Sequence, residues 1–523
     1  MTHRDQSRTL EDLSAEIVGL RASELALLQR LAEVRSMLTK LEVDRGHIVN
    51  ANASIHSLPD DVFLYIVKIG QELDSDSNDP DSLLHEPFQL LVSRVSRRWQ
   101  MMVLDAPLLW TRIRCRPRHY LAIERLEAFL MRSQRCLLDI TFNMSDIVDH
   151  SPPKLSHRIR GTVNLLVSHA DRWKSLVVLG GSPAYLSYTL KALRRIKVPQ
   201  LTHFAVEKLF IDDFRPIPSD FGLFAGDAPS LSSVSFQDCN ILSQYLPDLT
   251  RITSLQLLYQ PRHAGFGDSG WEGLRQTLAT LPSLTYLSIP GYVTRDIQSP
   301  IKLPSLLNLE INILQPSFVD KLCASLSTPS LDTLVLHSLC LSDILRFVKL
   351  SPETPITLRY PALRSLEIRW GGHIELDAGH SIIGEFMHAF SNITHLTMWS
   401  EDYDKHFDVV LRHLTEHGSG PDGLLPQLQS ITIQSPFASD LDVISAMISA
   451  RIEAGRPISR LVLERVAWRW KRMTDRPAEA CRAPSSRRLE QIKELRKIVN
   501  LEVQSGRTVF KTVDTYGRYC TCV

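Results

Sequence analysis

The stretch Leu363-Arg364-Ser365-Leu366-Glu367-Ile368 places apolar residues at the first, fourth and sixth of its six positions. This template, apolar-x-x-apolar-x-apolar, recurs in a series of ten copies that begin at Leu201, Leu231, Ile252, Leu284, Leu306, Leu331, Leu363, Ile393, Leu428 and Ile458. Trp173 begins a related unit upstream. The nine intervals between the first and last starts cover 257 residues, a mean of about 29, which is typical of a solenoid repeat.

The segments between template copies carry apolar residues at helical spacing, over 271–281, 318–326, 382–390, 407–414 and 441–453. Each unit therefore supplies one short strand with two inward apolar side chains, and often a helix. Because one unit cannot bury its apolar face alone, neighbouring units must stack. We predict an irregular solenoid over residues 116–466, with a parallel sheet and helices on its convex side.

Side chains alternate along a strand, so the positions flanking the two inward residues point to the concave face. Trp399 and the neighbouring Glu and Arg residues are the best candidate anchors for a bound protein, because Trp and Arg dominate interface hot spots. The candidate target-binding residues are Glu310, His337, Glu367, Arg369, His395, Trp399, Gln434 and Arg460, with Ser288 and Glu464 on the same predicted surface.

Residues 1–46 predict a long helix with an apolar seam. Its positions alternate three and four residues apart, which keeps one stripe facing a partner helix. They are Leu10, Leu13, Ile17, Leu20, Glu24, Leu27, Leu31, Val34, Leu38 and Leu41, with Glu24 as the one charged member. Two interpretations remain open: a coiled coil, as a parallel homodimer or with another partner, and a helix packed on its own domain.

Two helical halves follow, separated by an acidic insert at 70–87. Ser57 is the predicted N-cap of the first half, and Asp60 and Asp61 suit the positive end of its dipole. The second half predicts one helix over 88–99. Such a small module cannot bury all of its large apolar side chains, so some should remain outside for a partner, unless they pack on the repeats.

The three-part pattern Ile55-x-x-Leu58-Pro59-Asp60-Asp61-Val62, then 91–99, then Pro107-x-x-Trp110 resembles an F-box, apart from the long insert. The region behind it resembles leucine-rich repeats without their regular asparagine. This resemblance implies an F-box module over 47–115 that binds a Skp-type adaptor and, through it, a cullin ubiquitin ligase. The adaptor-binding candidates are Leu58, Pro59, Val62, Ile66, Leu91, Val92, Val95, Trp99 and Trp110.

The expected fold class is α plus α/β: a coiled-coil helix, a helical F-box module and a leucine-rich-repeat solenoid. The resemblance implies a substrate-recognition subunit in the cytoplasm, the nucleus or both, acting on an unknown target protein. The alternative is a scaffold that uses the F-box for another partner without ubiquitin transfer.

The composition argues against several other classes. A formal net charge of +1 argues against bulk attraction to nucleic acid or to an anionic membrane. The sequence has no apolar run of about 18 residues, so we predict no membrane span. Eight scattered cysteines predict reduced thiols. His413 and His417 are the nearest approach to a metal pair, and Gly379–Gly384 only approximates a nucleophile elbow. We therefore predict no cofactor, no metal and no catalytic residue.

Residues 467–523 predict a C-terminal cap and tail. The aromatic and basic run Trp468–Arg472 is typical of an edge strand or cap, with a nucleic-acid contact as the alternative. Residues 486–500 predict an amphipathic helix, with Leu489, Ile492, Leu495 and Val499 on one face, that covers the open end of the solenoid.

Overall fold

The computed structural model of the chain divides into two compact units, Met1–Leu109 and Trp110–Val523. It describes residues 10–51, 55, 58–75, 86–119, 121–147, 153–208, 223–224, 227–237, 250–258, 275–290, 301–313, 322–323, 325–339, 343–345, 360–370, 376–400, 406–416, 423–434, 440–464, 486–504, 510–513 and 519–522. The predicted N-cap Ser57, most of the acidic insert (76–85), His417 and the Trp468–Arg472 run lie outside these residues.

The first unit begins with helix α1, Leu10–Ala51. Every side chain from Asp12 to Arg45 is exposed, so this part of the helix is not packed on its own domain. The helix also continues through Gly46, where the sequence predicted its end. A glycine inside a helix costs only about 1 kcal/mol relative to alanine, which a helix of 42 residues can tolerate.

Three further helices complete the described part of this unit: α2, Asp60–Ser75, α3, Phe88–Val92, and α4, Arg97–Leu104. The prediction of one helix over 88–99 is wrong, because the chain turns between α3 and α4. Ser96 has an extended backbone there, and its hydroxyl accepts a hydrogen bond from the Trp99 backbone N–H at 3.2 Å. This N-cap starts a new helix at Arg97.

The second unit is built on a long sheet. In chain order its strands are β1 (Arg112–Cys115), β2 (Leu138–Asn143), β3 (Trp173–Gly180), β4 (His203–Lys208), β5 (Ser233–Gln237), β6 (Ser254–Leu258), β7 (Tyr286–Pro290), β8 (Ile301–Lys302), β9 (Asn308–Asn312), β10 (Leu326–Ser327), β11 (Thr333–Leu339), β12 (Ser365–Trp370), β13 (His395–Ser400), β14 (Ser430–Gln434), β15 (Arg460–Glu464), β16 (Asn500–Gln504), β17 (Phe510–Val513) and β18 (Tyr519–Cys522). Fourteen of them form one sheet in chain order from β1 to β16, without β8 and β10. All of the neighbouring pairs in this sheet are parallel. The short strands β8 and β10 pair with each other in parallel, and β17 and β18 pair antiparallel.

The apolar template sets the register of this sheet. Leu366 of β12 aligns with Leu396 of β13, and Ile368 aligns with Met398, and all four side chains are buried. Burial of one such side chain contributes about 1.5–3 kcal/mol, so repetition along the sheet accounts for a large core. All ten template copies form strands at this register, and the unit that begins at Trp173 forms β3.

Helices connect the strands of the second unit. In chain order they are α5 (Ala122–Arg132), α6 (Pro153–Val167), α7 (Pro183–Ala192), α8 (Leu376–Ala389), α9 (His406–Glu416), α10 (Asp440–Glu453) and α11 (Ser486–Ile498). Residues 275–279 are also helical. The predicted helices over 382–390, 407–414 and 441–453 correspond to α8, α9 and α10. Helix α8 begins at Leu376, earlier than the residue 382 that the helical spacing predicted, so Gly379–Gly384 lies within the helix.

The predicted boundaries of the repeat region change at both ends. The sheet begins at Arg112 rather than after residue 116, so β1 belongs to the second unit and not to the helical module that was predicted over 47–115. At the other end β16 pairs with β15, so α11 and β16 form one more unit rather than a cap over the open end. Pairing satisfies backbone groups of β15 that would otherwise stand unpaired. Ile492, Leu495 and Val499 are buried as the helical pattern predicted.

None of the helices that the structure describes is both long enough and apolar enough to cross a membrane.

Arg451 organises the loop before β14. Its side chain is fully buried in the last turn of α10. Nη1 donates a hydrogen bond to the Leu424 carbonyl at 3.3 Å, and Nη2 donates to the Leu425 and Leu428 carbonyls at 3.1 and 3.5 Å. Burial, with a smaller contribution from Arg456, lowers the pKa of Arg451 to about 10, which leaves the side chain charged at neutral pH.

We expect Arg451→Met to lower the free energy of unfolding of the second unit by about 2–4 kcal/mol, because three buried carbonyls lose a charged donor. Arg496→Met makes the same change at an exposed position of α11 and should cost less than about 0.5 kcal/mol. Urea denaturation followed by circular dichroism compares the two variants. Equal losses would contradict this role of Arg451.

Candidate functional site

Helix α2 carries apolar side chains on two faces. Phe63 and Val67 are buried, and the Phe63 ring lies 4.7 Å from the Trp99 ring of α4. Gly70 faces the ring of Phe88, where a Cβ would overlap the aromatic atoms, so α2 and α3 approach closely at this glycine. One face of α2 is thus held against the two helices that follow it.

The other face of α2 remains exposed although it is also apolar. Val62 is 40% exposed and Ile66 is 47% exposed. Outside α2, Leu91 of α3 is 48% exposed, and Val95, between α3 and α4, is 56% exposed. Pro59, at the start of α2, is exposed as well. We name Pro59, Val62, Ile66, Leu91 and Val95 the docking surface. Exposed large apolar side chains of this number are typical of residues that another protein covers.

A polar clamp fixes the first turn beside the docking surface. Arg98 of α4 donates one hydrogen bond to the Leu58 carbonyl at 3.0 Å and another to Asp60 Oδ1 at 2.7 Å. The first helical hydrogen bond runs from the Phe63 N–H to the Pro59 carbonyl. These contacts hold the Leu58–Asp60 segment against α4, with Leu58 half-buried.

Two of the predicted adaptor-binding residues are not available at the surface. Val92 is buried in α3, and Trp110 is fully buried in the second unit. The Trp110 ring lies edge-on to Phe129 at 5.0 Å, and the Arg132 guanidinium stacks on it at 4.4 Å. Both residues therefore stabilise the fold and cannot contact a partner directly. Trp99 is half-buried against Phe63.

The second candidate surface is the face of the sheet opposite its buried Leu and Ile rows, which we name the polar face. The strand registers place every predicted target-binding residue on it. Arg369, Trp399, Gln434 and Glu464 form one row across β12–β15. Glu310 and Glu367 lie at the middle position of β9 and β12, while His395 and Arg460 lie at the first position of β13 and β15. These side chains thus share one face of one sheet, as their alternation along the strands predicted.

A three-residue cluster lies on the polar face between β7 and β11. Glu310 accepts a hydrogen bond from the Tyr286 hydroxyl, and His337 Nε2 lies 2.5 Å from Glu310 Oε1. Ser288 beside them is fully buried. Burial by itself raises the pKa of Glu310, but the hydrogen bonds from His337 and Tyr286, with the charges of His337 and Arg369, outweigh it and lower the pKa overall. Burial is the largest cause that raises the pKa of the Tyr286 hydroxyl, and the hydrogen bond to Glu310 raises this pKa further.

A second cluster on the polar face surrounds Arg369. Its Nε donates to Glu367 Oε1 at 2.7 Å, and its guanidinium lies 5.2 Å from the centre of the Trp399 ring. A guanidinium stacked on an aromatic ring and fixed by a carboxylate is a rigid anchor of the kind that dominates protein interfaces. Trp399 and Arg369 are both half-buried, so each retains surface for a bound protein.

Two further predicted residues make contacts of their own on the polar face. Arg460 forms a two-point ion pair with Glu502 of β16 at 2.9 and 3.0 Å, and His395 contacts the Thr394 hydroxyl at 2.7 Å. The sequence prediction missed Tyr286 and Glu502. Tyr286 follows from the same alternation, since it is two residues before Ser288. Glu502 lies on β16, after the predicted helix of 486–500 and within the predicted C-terminal cap and tail.

The described residues contain no cluster of three or more His, Cys, Asp or Glu side chains that could hold a metal ion. The thiol of Cys115 is buried, and burial raises its pKa to about 12 against a smaller opposing effect of Arg125. A thiol in this state is a poor nucleophile.

No family model matches this chain, and no curated protein matches it.

We expect the pH dependence of stability to report the Glu310 cluster. The pKa of Glu310 is held below its ordinary value of 4.5. The ionised Glu310 therefore contributes to the free energy of unfolding above pH 4.5, and this contribution is lost as the pH falls below that value. The thermal midpoint of Glu310→Gln should lie below that of the unsubstituted chain at pH 7, and this difference should shrink below about pH 4.5. Glu453→Gln, on an exposed carboxylate of α10, is the control. A difference for Glu310→Gln that does not depend on pH would rule out this role.

Proposed function

We propose that this chain is the substrate-recognition subunit of an SCF-type (Skp–cullin–F-box) ubiquitin ligase. The docking surface binds a Skp-type adaptor, which links the chain to a cullin, and the polar face of the sheet holds a target protein. The chain itself is non-catalytic in this proposal. It acts in the cytoplasm, the nucleus or both by holding the target near a ubiquitin-charged enzyme, which raises the effective concentration of the reacting groups.

One observation carries the first half of the proposal. Helix α2 buries Phe63 and Val67 and still exposes Val62 and Ile66 on another face. A short helix that needs only one apolar face for its own fold gains nothing from a second one in water. Val62, Ile66, Leu91 and Val95 are each about half-buried already, so covering each of them contributes roughly half of the about 1.5–3 kcal/mol for full burial. The four together contribute about 3–6 kcal/mol, which is enough to matter for binding. The spacing of Leu58, Pro59 and the following helix is the feature that resembles an F-box.

The polar face supports the second half. It presents a stacked Arg369–Trp399 pair and the Tyr286–Glu310–His337 cluster on strands that are fixed by a continuous core. A rigid surface of this composition suits recognition of another protein, because little side-chain entropy is lost on binding.

We expect the double variant Val62→Glu and Ile66→Glu to abolish capture of a purified Skp-type adaptor, because two charges would be buried against apolar surface. Both positions are solvent-exposed in the free chain, so its fold should persist, with an unchanged circular dichroism spectrum. Met131→Glu adds a charge at an exposed apolar position of α5 and serves as the matched control. Full capture by the double variant would overturn the adaptor assignment.

If no adaptor is captured by the unsubstituted chain and another protein is lost from the double variant instead, the alternative scaffold function replaces ubiquitin transfer. Quantitative mass spectrometry of co-purifying proteins separates these two results.

We expect Arg369→Ala combined with Trp399→Ala to remove a subset of co-purifying proteins while adaptor capture stays unchanged, because the two surfaces bind different partners. Truncation of a stacked anchor pair typically costs more than about 2 kcal/mol, or roughly 30-fold in affinity. Arg496→Ala, on exposed surface of α11, is the control. Loss of the adaptor together with the targets, or loss of neither, would contradict this division of roles.

A further inference from the structure

We propose that four arginines at the first strand of the sheet bind an acidic segment of another protein, in which several Asp or Glu side chains lie close together. The four are Arg114, Arg116, Arg118 and Arg158, and we name them the arginine cluster. They are distant from Arg369, whose strand lies nine strands further along the sheet. This binding is independent of the adaptor and target assignments.

The positive charge of the chain is concentrated in its first repeats. Residues 111–200 contain 16 Lys and Arg against six Asp and Glu, although the whole chain has a net charge of only +1. Residues 112–125 and 139–160, which include β1, β2 and the start of α6, contain eight Lys and Arg against four Asp and Glu. An excess of cations in one place attracts anions.

Strand β1 directs Arg114 to the polar face. Ile113 and Cys115 of β1 are buried, so alternation places Arg114 on the opposite side, where it is exposed. Arg114 aligns with Thr141 of β2, and it has no hydrogen bond or ion pair with any residue that the structure describes. Its guanidinium is therefore available for a carboxylate, which arginine binds through two parallel N–H donors.

Arg116, directly after β1, carries a charge that the chain compensates only in part. Its Nη2 is buried and donates no hydrogen bond to any described residue. Burial is the largest cause that lowers the pKa of Arg116; Asp146 opposes this effect, and the charge of Arg114 adds to it. A further anion beside Arg116 would offset both the burial and the repulsion by Arg114.

Two more arginines adjoin this site through the turn that follows β1. Arg118 Nη1 donates a hydrogen bond to the Asp146 carbonyl at 3.0 Å and lies 3.9 Å from the Asp146 carboxylate. Arg158 of α6 donates through Nη1 to the carbonyls of Arg118 and His119, at 3.2 and 3.1 Å. Both side chains use only Nη1 in these contacts with described residues, so their other guanidinium nitrogens are available to a ligand.

The extent of the cluster indicates which anion fits. Arg114 and Arg116 are two residues apart at the end of a strand, so their Cα atoms are separated by about 6–7 Å. Arg118 and Arg158 lie beyond them, on the turn and on α6. A single phosphate group is too small to contact all four side chains, whereas several acidic side chains of one segment can each contact one.

A nucleic acid fits less well. On the polar face the row that begins with Arg114 continues through Thr141, Val177 and Ala205, none of which is charged. The cationic surface on this face is therefore confined to β1, whereas the phosphates of a nucleic acid would extend across several strands. Among the described residues no aromatic ring contacts the four arginines, although single-stranded nucleic acids bind by stacking on such rings.

The cations near α7 have a structural explanation. Lys191 lies in the last turn of α7, and Arg194, Arg195 and Lys197 follow it. The C-terminus of a helix carries a partial negative charge that favours cations. These residues precede β4, whereas the arginine cluster follows β1, so they lie at the other ends of the parallel strands. Arg194 and Arg195 are both exposed and offer a matched control.

Fluorescence anisotropy of a labelled glutamate decapeptide with the full chain tests the site. We expect saturable binding that weakens as salt is raised, because ion pairs at a surface are screened. Arg114→Gln with Arg118→Gln should weaken this binding about 5–30-fold, with an unchanged circular dichroism spectrum. Arg194→Gln with Arg195→Gln removes the same charge and should weaken it less than about twofold.

Absence of peptide binding, or equal weakening by the two double variants, would overturn the proposal, since only general attraction between charges would remain. Arg114→Gln alone alters a side chain without hydrogen bonds to described residues, so it separates binding from folding; it should weaken binding about two- to fivefold.

Two competing ligands are tested in the same assay. Tighter binding of a labelled thymidine decanucleotide, lost in the Arg114→Gln with Arg118→Gln variant, would assign the cluster to nucleic acid. Displacement of the peptide by about 1 mM inorganic phosphate would assign it to a single phosphate group. Either result contradicts binding of an acidic segment. Adaptor capture should be unchanged in every variant, because none of them alters the docking surface.

Discussion

Each short element of this chain can bury only one of its faces, and the rest of the structure depends on that constraint. A strand with alternating side chains gives one face to the core, as Leu366, Ile368 and Trp370 do in β12, and leaves the positions between them half-buried on the other face. Because parallel neighbours repeat the same register, the buried residues join into continuous apolar rows. The outer residues join into a polar face whose composition is free to vary, and this freedom allows recognition of a partner.

The helices of the first unit meet the same constraint differently. Helix α2 satisfies it with Phe63 and Val67, and yet it exposes Val62 and Ile66 on another face. Helix α1 exposes its whole described seam. In both cases the apolar side chains exceed what the chain itself covers, which is the physical basis for assigning partners to them. In α2 the exposed apolar residues are uncharged, so the proposed identity of the adaptor rests on the resemblance to an F-box.

The alternation of apolar residues was sufficient to predict ten strands, their register and the face on which Glu310 and Trp399 lie. Local and tertiary effects account for the errors. The hydroxyl of Ser96 caps a new helix, and no periodic pattern reports such a hydrogen bond. Ile498-x-x-Leu501-x-Val503 also matches the template, but its first three residues belong to the helical pattern predicted over 486–500, and β16 was not predicted. Trp99 and Trp110 are equally apolar in sequence, and only their packing, against Phe63 and against Phe129, assigns them to different units.

The central claim is that the exposed apolar face of α2 binds a Skp-type adaptor. Isothermal titration calorimetry of a purified adaptor into the intact chain, repeated at several temperatures, tests it most directly. Burial of apolar surface predicts saturable binding of one adaptor per chain, with an enthalpy that becomes more favourable as temperature rises, that is, a negative heat-capacity change. Absence of binding, or binding whose enthalpy does not change with temperature, would contradict an apolar docking surface on α2.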